Sequence, residues 1–193
     1  SNRTGVVAGL KYAETTLSNG MRIVAIHQPA VKGRVVVELV FSGVGAAIEQ
    51  PNQKGLAHLI EHMLFKGTDT TLQEGAFHKI VNKYGGVTNA FTSFDSTVYY
   101  VALDSTNWQP IVKLYADCMQ NSAMNEQHLA SELKVVIKEL RRNDDNPMWI
   151  WFQKMFKTSL PSHHPHYSCL IGERQDLAAL TAENLKKFFK TYY

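Results

Sequence analysis

The constraint that bears hardest on how this chain can fold is a change of hydrophobic pattern along it. Residues 12–17 and 21–27 flank Ser18-Asn19-Gly20 and read as a β-hairpin, because Asn-Gly supplies the positive φ angles of a tight turn. Residues 34–41, dense in β-branched side chains, read as a third strand. Beyond Gly43 and Gly45 the apolar spacing becomes three and four, in Leu56, Leu59, Ile60, Met63 and Leu64. That spacing predicts a helix from about Gly55, stopped at Gly67 by a left-handed cap. A short helix over 72–83 ends at Gly85-Gly86, followed by strands over 87–93 and 97–103. Helices are then expected over 107–120, 126–142 and 148–157, a Pro/His loop over 160–168, and a last helix over 182–192 with Thr181 as its N-cap. This order belongs to an α+β domain with a mostly antiparallel sheet and helices packed on it.

Composition removes several function classes. The chain has 193 residues and a net charge of +3, with basic residues scattered and no run longer than a pair such as Arg141-Arg142, so it carries no nucleic-acid footprint. No stretch approaches the roughly 18 consecutive apolar residues of a membrane span. The two cysteines, Cys118 and Cys169, make no C-x-x-C spacing, and Cys118 follows Ile111, Leu114 and Tyr115 at helical spacing as a buried small hydrophobe would. Ser1-Asn2-Arg3 reads as a processed or trimmed start. A chain of this size buries enough surface to fold without a structural ion, so a metal site would serve chemistry.

The informative stretch is His58-Leu59-Ile60-Glu61-His62, inside the first predicted helix. Four residues is about one turn, so both imidazoles lie on one face and can bind one ion. Glu61 stands beside them, near enough to reach a metal-bound water. This is the H-x-x-E-H pattern of inverted zincins. Two histidines leave a zinc site short of its usual three protein ligands. The 126–142 helix offers candidates. At 100° per residue from Leu129, its apolar stripe spans about −20° to 80°, with Glu132 and Glu139 near −60° and −80° on its border. Two carboxylates two turns apart at the edge of a core are costly unless a cation meets them. Among the other histidines, His78, His128, His163, His164 and His166 have no partners at ligand spacing.

These residues resemble the inverzincin metallopeptidases, which include pitrilysin, insulin-degrading enzyme and the mitochondrial processing peptidase. The resemblance runs through Leu17-Ser-Asn-Gly-Met-Arg22, Gly55-Leu-Ala-His-Leu-Ile-Glu-His-Met-Leu-Phe-Lys-Gly-Thr68, Gly85-Gly-Val-Thr-Asn-Ala-Phe-Thr92, the Glu132 to Glu139 segment and residues 180–193. Glu139 stands 77 positions after His62, where the family places its third ligand, and Glu132 stands seven earlier, where it places an auxiliary glutamate. The resemblance therefore implies one Zn²⁺ per domain held by His58, His62 and Glu139, with Glu61 as general base and Glu132 orienting the site. It also implies that Asn89, Ala90, Phe91 and Thr92 form an edge strand that pairs with a peptide substrate, and that Phe65, Ala90, Phe91, Trp149 and Phe152 line a hydrophobic pocket beside the scissile bond.

Two other readings are weaker. An S-ribosylhomocysteine lyase also uses H-x-x-E-H but takes a cysteine as third ligand, and neither cysteine here is at its distance. A non-catalytic partner subunit of the same family typically loses ligands, and none is missing here. Residues 1–193 are expected to be one zinc-peptidase domain, an N-terminal fragment of a longer protein that works with a homologous C-terminal domain or partner subunit.

Overall fold

The computed structural model describes residues 2–70 and 72–193. It divides into two compact units, one through Arg34 and one from Val35 to Tyr193.

The first unit is a three-stranded antiparallel sheet of β1 (Arg3–Val7), β2 (Leu10–Thr16) and β3 (Arg22–His27), in that order. Sequence reading did not anticipate β1. It is joined to β2 by Ala8 and Gly9, both at positive φ (49° and 78°), the backbone of a two-residue primed turn reached here with an alanine. The Asn19-Gly20 hairpin forms, but of its turn residues only Gly20 takes positive φ, at 87°. Gly20 N–H donates to Leu17 O at 3.0 Å and Leu17 N–H to Met21 O at 2.8 Å. The turn is thus the wider three-residue form that ends in a left-handed glycine, not the tighter form expected.

The second unit holds a sheet in the order β4, β6, β5, made of β4 (Arg34–Ser42), β5 (Val87–Thr92) and β6 (Ser96–Asp104). β5 and β6 are an antiparallel hairpin in register from Val87↔Ala102 to Thr92↔Thr97, which leaves β5 at an edge. Among the described residues seven α-helices accompany it: α1 (Leu56–Met63), α2 (Ala76–Lys83), α3 (Trp108–Asn121), α4 (Glu126–Asp144), α5 (Pro147–Ser159), α6 (Arg174–Ala179) and α7 (Ala182–Tyr192). The architecture is α+β with antiparallel sheets, as expected, although the strands divide between two sheets.

Two clusters of buried side chains make the core. One joins Tyr99, Val101 and Leu103 of β6 to Phe77 and Val81 of α2 and to Ile111, Leu114 and Cys118 of α3. The other gathers Leu56, Leu59, Ile60 and Met63 of α1 with Leu129, Val136 and Leu140 of α4, Leu177 of α6, and Leu185 and Phe188 of α7. α1 is therefore an interior helix, packed among other helices and against strands β5 and β6. Cys118 is fully buried, and burial pushes its thiol up to about 12, which makes it a packing residue with no accessible thiolate.

Three expectations need correction. α1 ends at Met63, so Gly67 is not its cap; Gly67, at φ 142°, instead brings the chain so close to Leu72 that a Cβ there would stand 2.7 Å from Leu72 O. α2 begins at Ala76 behind a left-handed Gly75. α6 arises where no helix was expected, because six residues are too few for an apolar period to show.

Candidate metal centre

α1 brings three candidate side chains to one place because it is short and nearly surrounded. Leu56, Ala57, Leu59, Ile60 and Met63 anchor it in the core, which carries His58 inside with them. Glu61 and His62 fall on the half-buried flank. α4 packs against that flank, and its register turns Glu132 and Glu139 toward it, consistent with their place on the border of its apolar stripe.

Glu139 Oε2 lies 3.7 Å from His58 Nε2 and 3.6 Å from His62 Nε2. The ligand atoms of these three residues all lie within 4.8 Å of one another. Ligand atoms around a tetrahedral Zn²⁺ with bonds near 2.0–2.1 Å stand about 3.4 Å apart, so the two distances to Glu139 need only close by a few tenths of an ångström. Two imidazole nitrogens and a carboxylate oxygen also suit zinc chemically, and three protein donors leave a position for water. The residues fit the ion.

The carboxylate of Glu132 is buried and does not face the Nε2 atoms. Its Oε2 lies 3.1 Å from His62 Nδ1, and its Oε1 lies 2.6 Å from Lys66 Nζ, which also meets Glu74 Oε1 at 2.9 Å. A carboxylate on Nδ1 fixes the tautomer that leaves Nε2 free to ligate. Lys66 was missed in the sequence; the available signal was its place one turn beyond His62. His58 differs, since its Nδ1 is buried and makes no hydrogen bond among the described residues.

The electrostatics follow from these contacts. Burial, with His62 nearby, drives His58 down to about 4 and keeps its imidazole neutral. Burial also presses on His62, but hydrogen bonding to Glu139 and Glu132 outweighs it and raises that pKa. The adjoining His62 holds the Glu139 carboxyl below its ordinary range. Glu61 is raised by burial, partly offset by Thr92, whose Oγ1 donates to Glu61 Oε2 at 2.6 Å. A carboxylate moved up toward neutrality is suited to accept and return a proton.

The other expected site residues are divided. Asn89 and Phe91 are exposed on β5, Ala90 faces the β6 cluster, and Thr92 is buried against Glu61. Phe65 stacks on Phe77 with ring centroids 3.7 Å apart and meets Tyr99 edge-on at 5.3 Å. Trp149 and Phe152 instead line a separate cavity of about 40 Å³ with Phe94, Phe156, Tyr167 and Cys169. Phe65, Ala90 and Phe91 have no part in that cavity.

A helix-borne His-His pair met by a glutamate from a second helix is a group that could hold a metal ion, and the family follows from comparison. Residues 22–166 match the family described as Insulinase (Peptidase family M16), and the chain belongs to it. It is 34% identical over 184 residues to a zinc protease PqqE of Helicobacter pylori, covering 95% of this chain and 41% of that one. It is 30% identical over 179 residues to a probable mitochondrial-processing peptidase β subunit of Arabidopsis thaliana, covering 93% of this chain and 33% of that one. A crystal structure of a protease from Helicobacter pylori superposes with a TM-score of 0.89 at 34% identity, over 95% of this chain and 44% of the other. The chain thus spans less than half the length of these relatives.

Proposed function

We propose that this chain is the metal-bearing part of a zinc-dependent endopeptidase that hydrolyses bonds in peptides or small unfolded proteins. The observation that carries the reading is the convergence of His58 Nε2 and His62 Nε2 on one oxygen of Glu139 while Glu132 occupies the other nitrogen of His62. The names of the relatives, zinc proteases among them, support it.

His58, His62 and Glu139 would hold the ion. Bound Zn²⁺ supplies Lewis acidity, lowering the pKa of a water from 15.7 toward about 7 and polarising a carbonyl oxygen. Glu61 takes the proton from the attacking water and passes it to the departing amide nitrogen, so the water's oxygen ends on the new carboxyl group and its hydrogen on the new amine. Thr92, donating to Glu61, orients that carboxylate. Asn89, Ala90 and Phe91 on the edge strand β5 offer main-chain groups to an extended peptide, a mode that gives affinity with little side-chain preference.

Because the curated relatives are more than twice as long, a homologous second domain or a partner subunit completes the grip on substrate in this reading. The test is zinc stoichiometry and peptide cleavage for wild type and Glu61→Gln. One zinc per chain in both, with cleavage reduced at least about 100-fold in the variant, is expected. A wild type without stoichiometric zinc, or a variant as active as wild type, refutes the assignment.

A further inference from the structure

The first amides of any helix lack partners within it and must find acceptors elsewhere. In α1 the usual local remedies are missing. Its N-cap is Gly55, left-handed at φ 98°, which brings no side chain, and no acidic residue stands in the first turn. Nor can another residue replace this glycine cheaply, since a Cβ there would stand 2.6 Å from Ile171 O and 2.8 Å from a Leu177 methyl. The acceptor arrives from outside the helix. Glu49, just past a 3-10 turn (Ala46–Ile48), accepts from Gly55 N–H through Oε2 at 2.8 Å and from Ala57 N–H through Oε1 at 2.7 Å. It is only 4% exposed. Lys54 Nζ donates to the main-chain carbonyl of Glu49 at 2.8 Å, and Asp176 accepts the Lys54 N–H at 3.3 Å.

A carboxylate bonded to two amides of one strand of backbone fixes that backbone in direction as well as position. The next residue after Ala57 is His58, whose own Nδ1 makes no hydrogen bond among the described residues, so none of their side chains orients its ring in that way. The location of His58 is left to its backbone and its packing. We propose that Glu49 is a positioning residue for the metal centre: by clamping the Gly55 and Ala57 amides it sets where α1 begins and thereby where His58 Nε2 is presented. This rests on reading His58, His62 and Glu139 as a zinc site.

The test compares wild type, Glu49→Gln, Glu49→Ala and Asp176→Asn at pH 8. Circular dichroism and thermal melting of the metal-free proteins establish folding, and competition with a chromophoric chelator gives zinc affinity. Glu49→Gln and Glu49→Ala should fold yet bind zinc at least about 10-fold more weakly, the loss expected of a partner behind the ligands. Asp176 meets the Lys54 amide, outside the helix, and Asp176→Asn should bind like wild type. Folded Glu49 variants with wild-type zinc affinity overturn the proposal, and so does an equal loss in Asp176→Asn. If both Glu49 variants fail to fold, Glu49→Asp decides: its shorter side chain reaches one amide, so weakened zinc binding supports the proposal and unchanged binding overturns it. A wild type that binds no zinc refutes the metal reading and this one with it, whereas Glu49 variants that bind zinc with wild-type affinity refute this one alone.

Discussion

The two ends of α1 present their histidines by different physics. At its start, His58 is enclosed by apolar side chains, and the chain around it is fixed by backbone contacts, with Gly55 against Gly172 and Glu49 across the first amides. At its end, His62 stands among charges, with Glu132 and Lys66 in series behind its Nδ1. Burial places one histidine and hydrogen bonding aims the other. A site built this way is sensitive to packing errors at one end and to charge errors at the other.

The comparison breaks most completely where the ends meet, at Glu139. Glu139→Gln should weaken zinc by more than about 100-fold by chelator competition, and Glu132→Gln by about 10- to 100-fold. The opposite ordering would exchange their roles.

Breaking the buried end alone calls for backbone crowding. Gly172 is at φ 101°, and a Cβ there would stand 2.5 Å from Lys54 O and 2.8 Å from Gly55 Cα. Gly172→Ala should cost about 2–4 kcal/mol in urea denaturation. A wild-type midpoint would show that this contact is slack.

Acid titration of the metal-free protein sharpens the contrast, because the two histidines act with opposite sign. His58 has its folded pKa lowered to about 4, so its contribution is full above the unfolded value near 6.5 and is lost as pH falls through 4, on the order of 3 kcal/mol. His62 has its folded pKa raised, so its contribution is full below about 6.5 and is lost as pH rises through the folded value. Stability against pH for His58→Gln and His62→Gln should therefore change slope in opposite directions. Parallel changes would mean the two environments are not distinct. The smallest effect belongs to Lys66→Met, which leaves Glu132 on His62 but without its cation; zinc should weaken by less than about 10-fold, and a larger loss would make Lys66 as important as Glu132.

What could be read in advance was whatever repeats at a regular interval or recurs as a spaced pattern. The border position of Glu132 and Glu139 came from a period of 3.6, and α4 places both against α1. The β5–β6 hairpin and α7, with Thr181 accepting from Asn184 N–H at 3.2 Å, also came from local signals. Glu49 had no such signal. It follows a three-residue turn, and its partners lie six and eight positions on across an irregular loop, so only tertiary structure reveals them. Strand β1 escaped notice because an alanine occupies a turn position that usually announces itself with asparagine or glycine. Phe65 shows the converse limit: an aromatic residue near a motif stacks on Phe77 in the core whatever else it touches, and spacing cannot tell wall from filling.

The shortness of α1 has a consequence for anyone who would borrow it. Eight residues make a rod of about 12 Å, far below the roughly 12–15 residues at which a free peptide holds helical form in water. Excised as a synthetic peptide, or grafted onto a foreign scaffold, the His58 to His62 stretch will be coil and its two imidazoles a loose chelate. The motif is not a portable cassette; the spacing of its two histidines belongs to the surrounding domain.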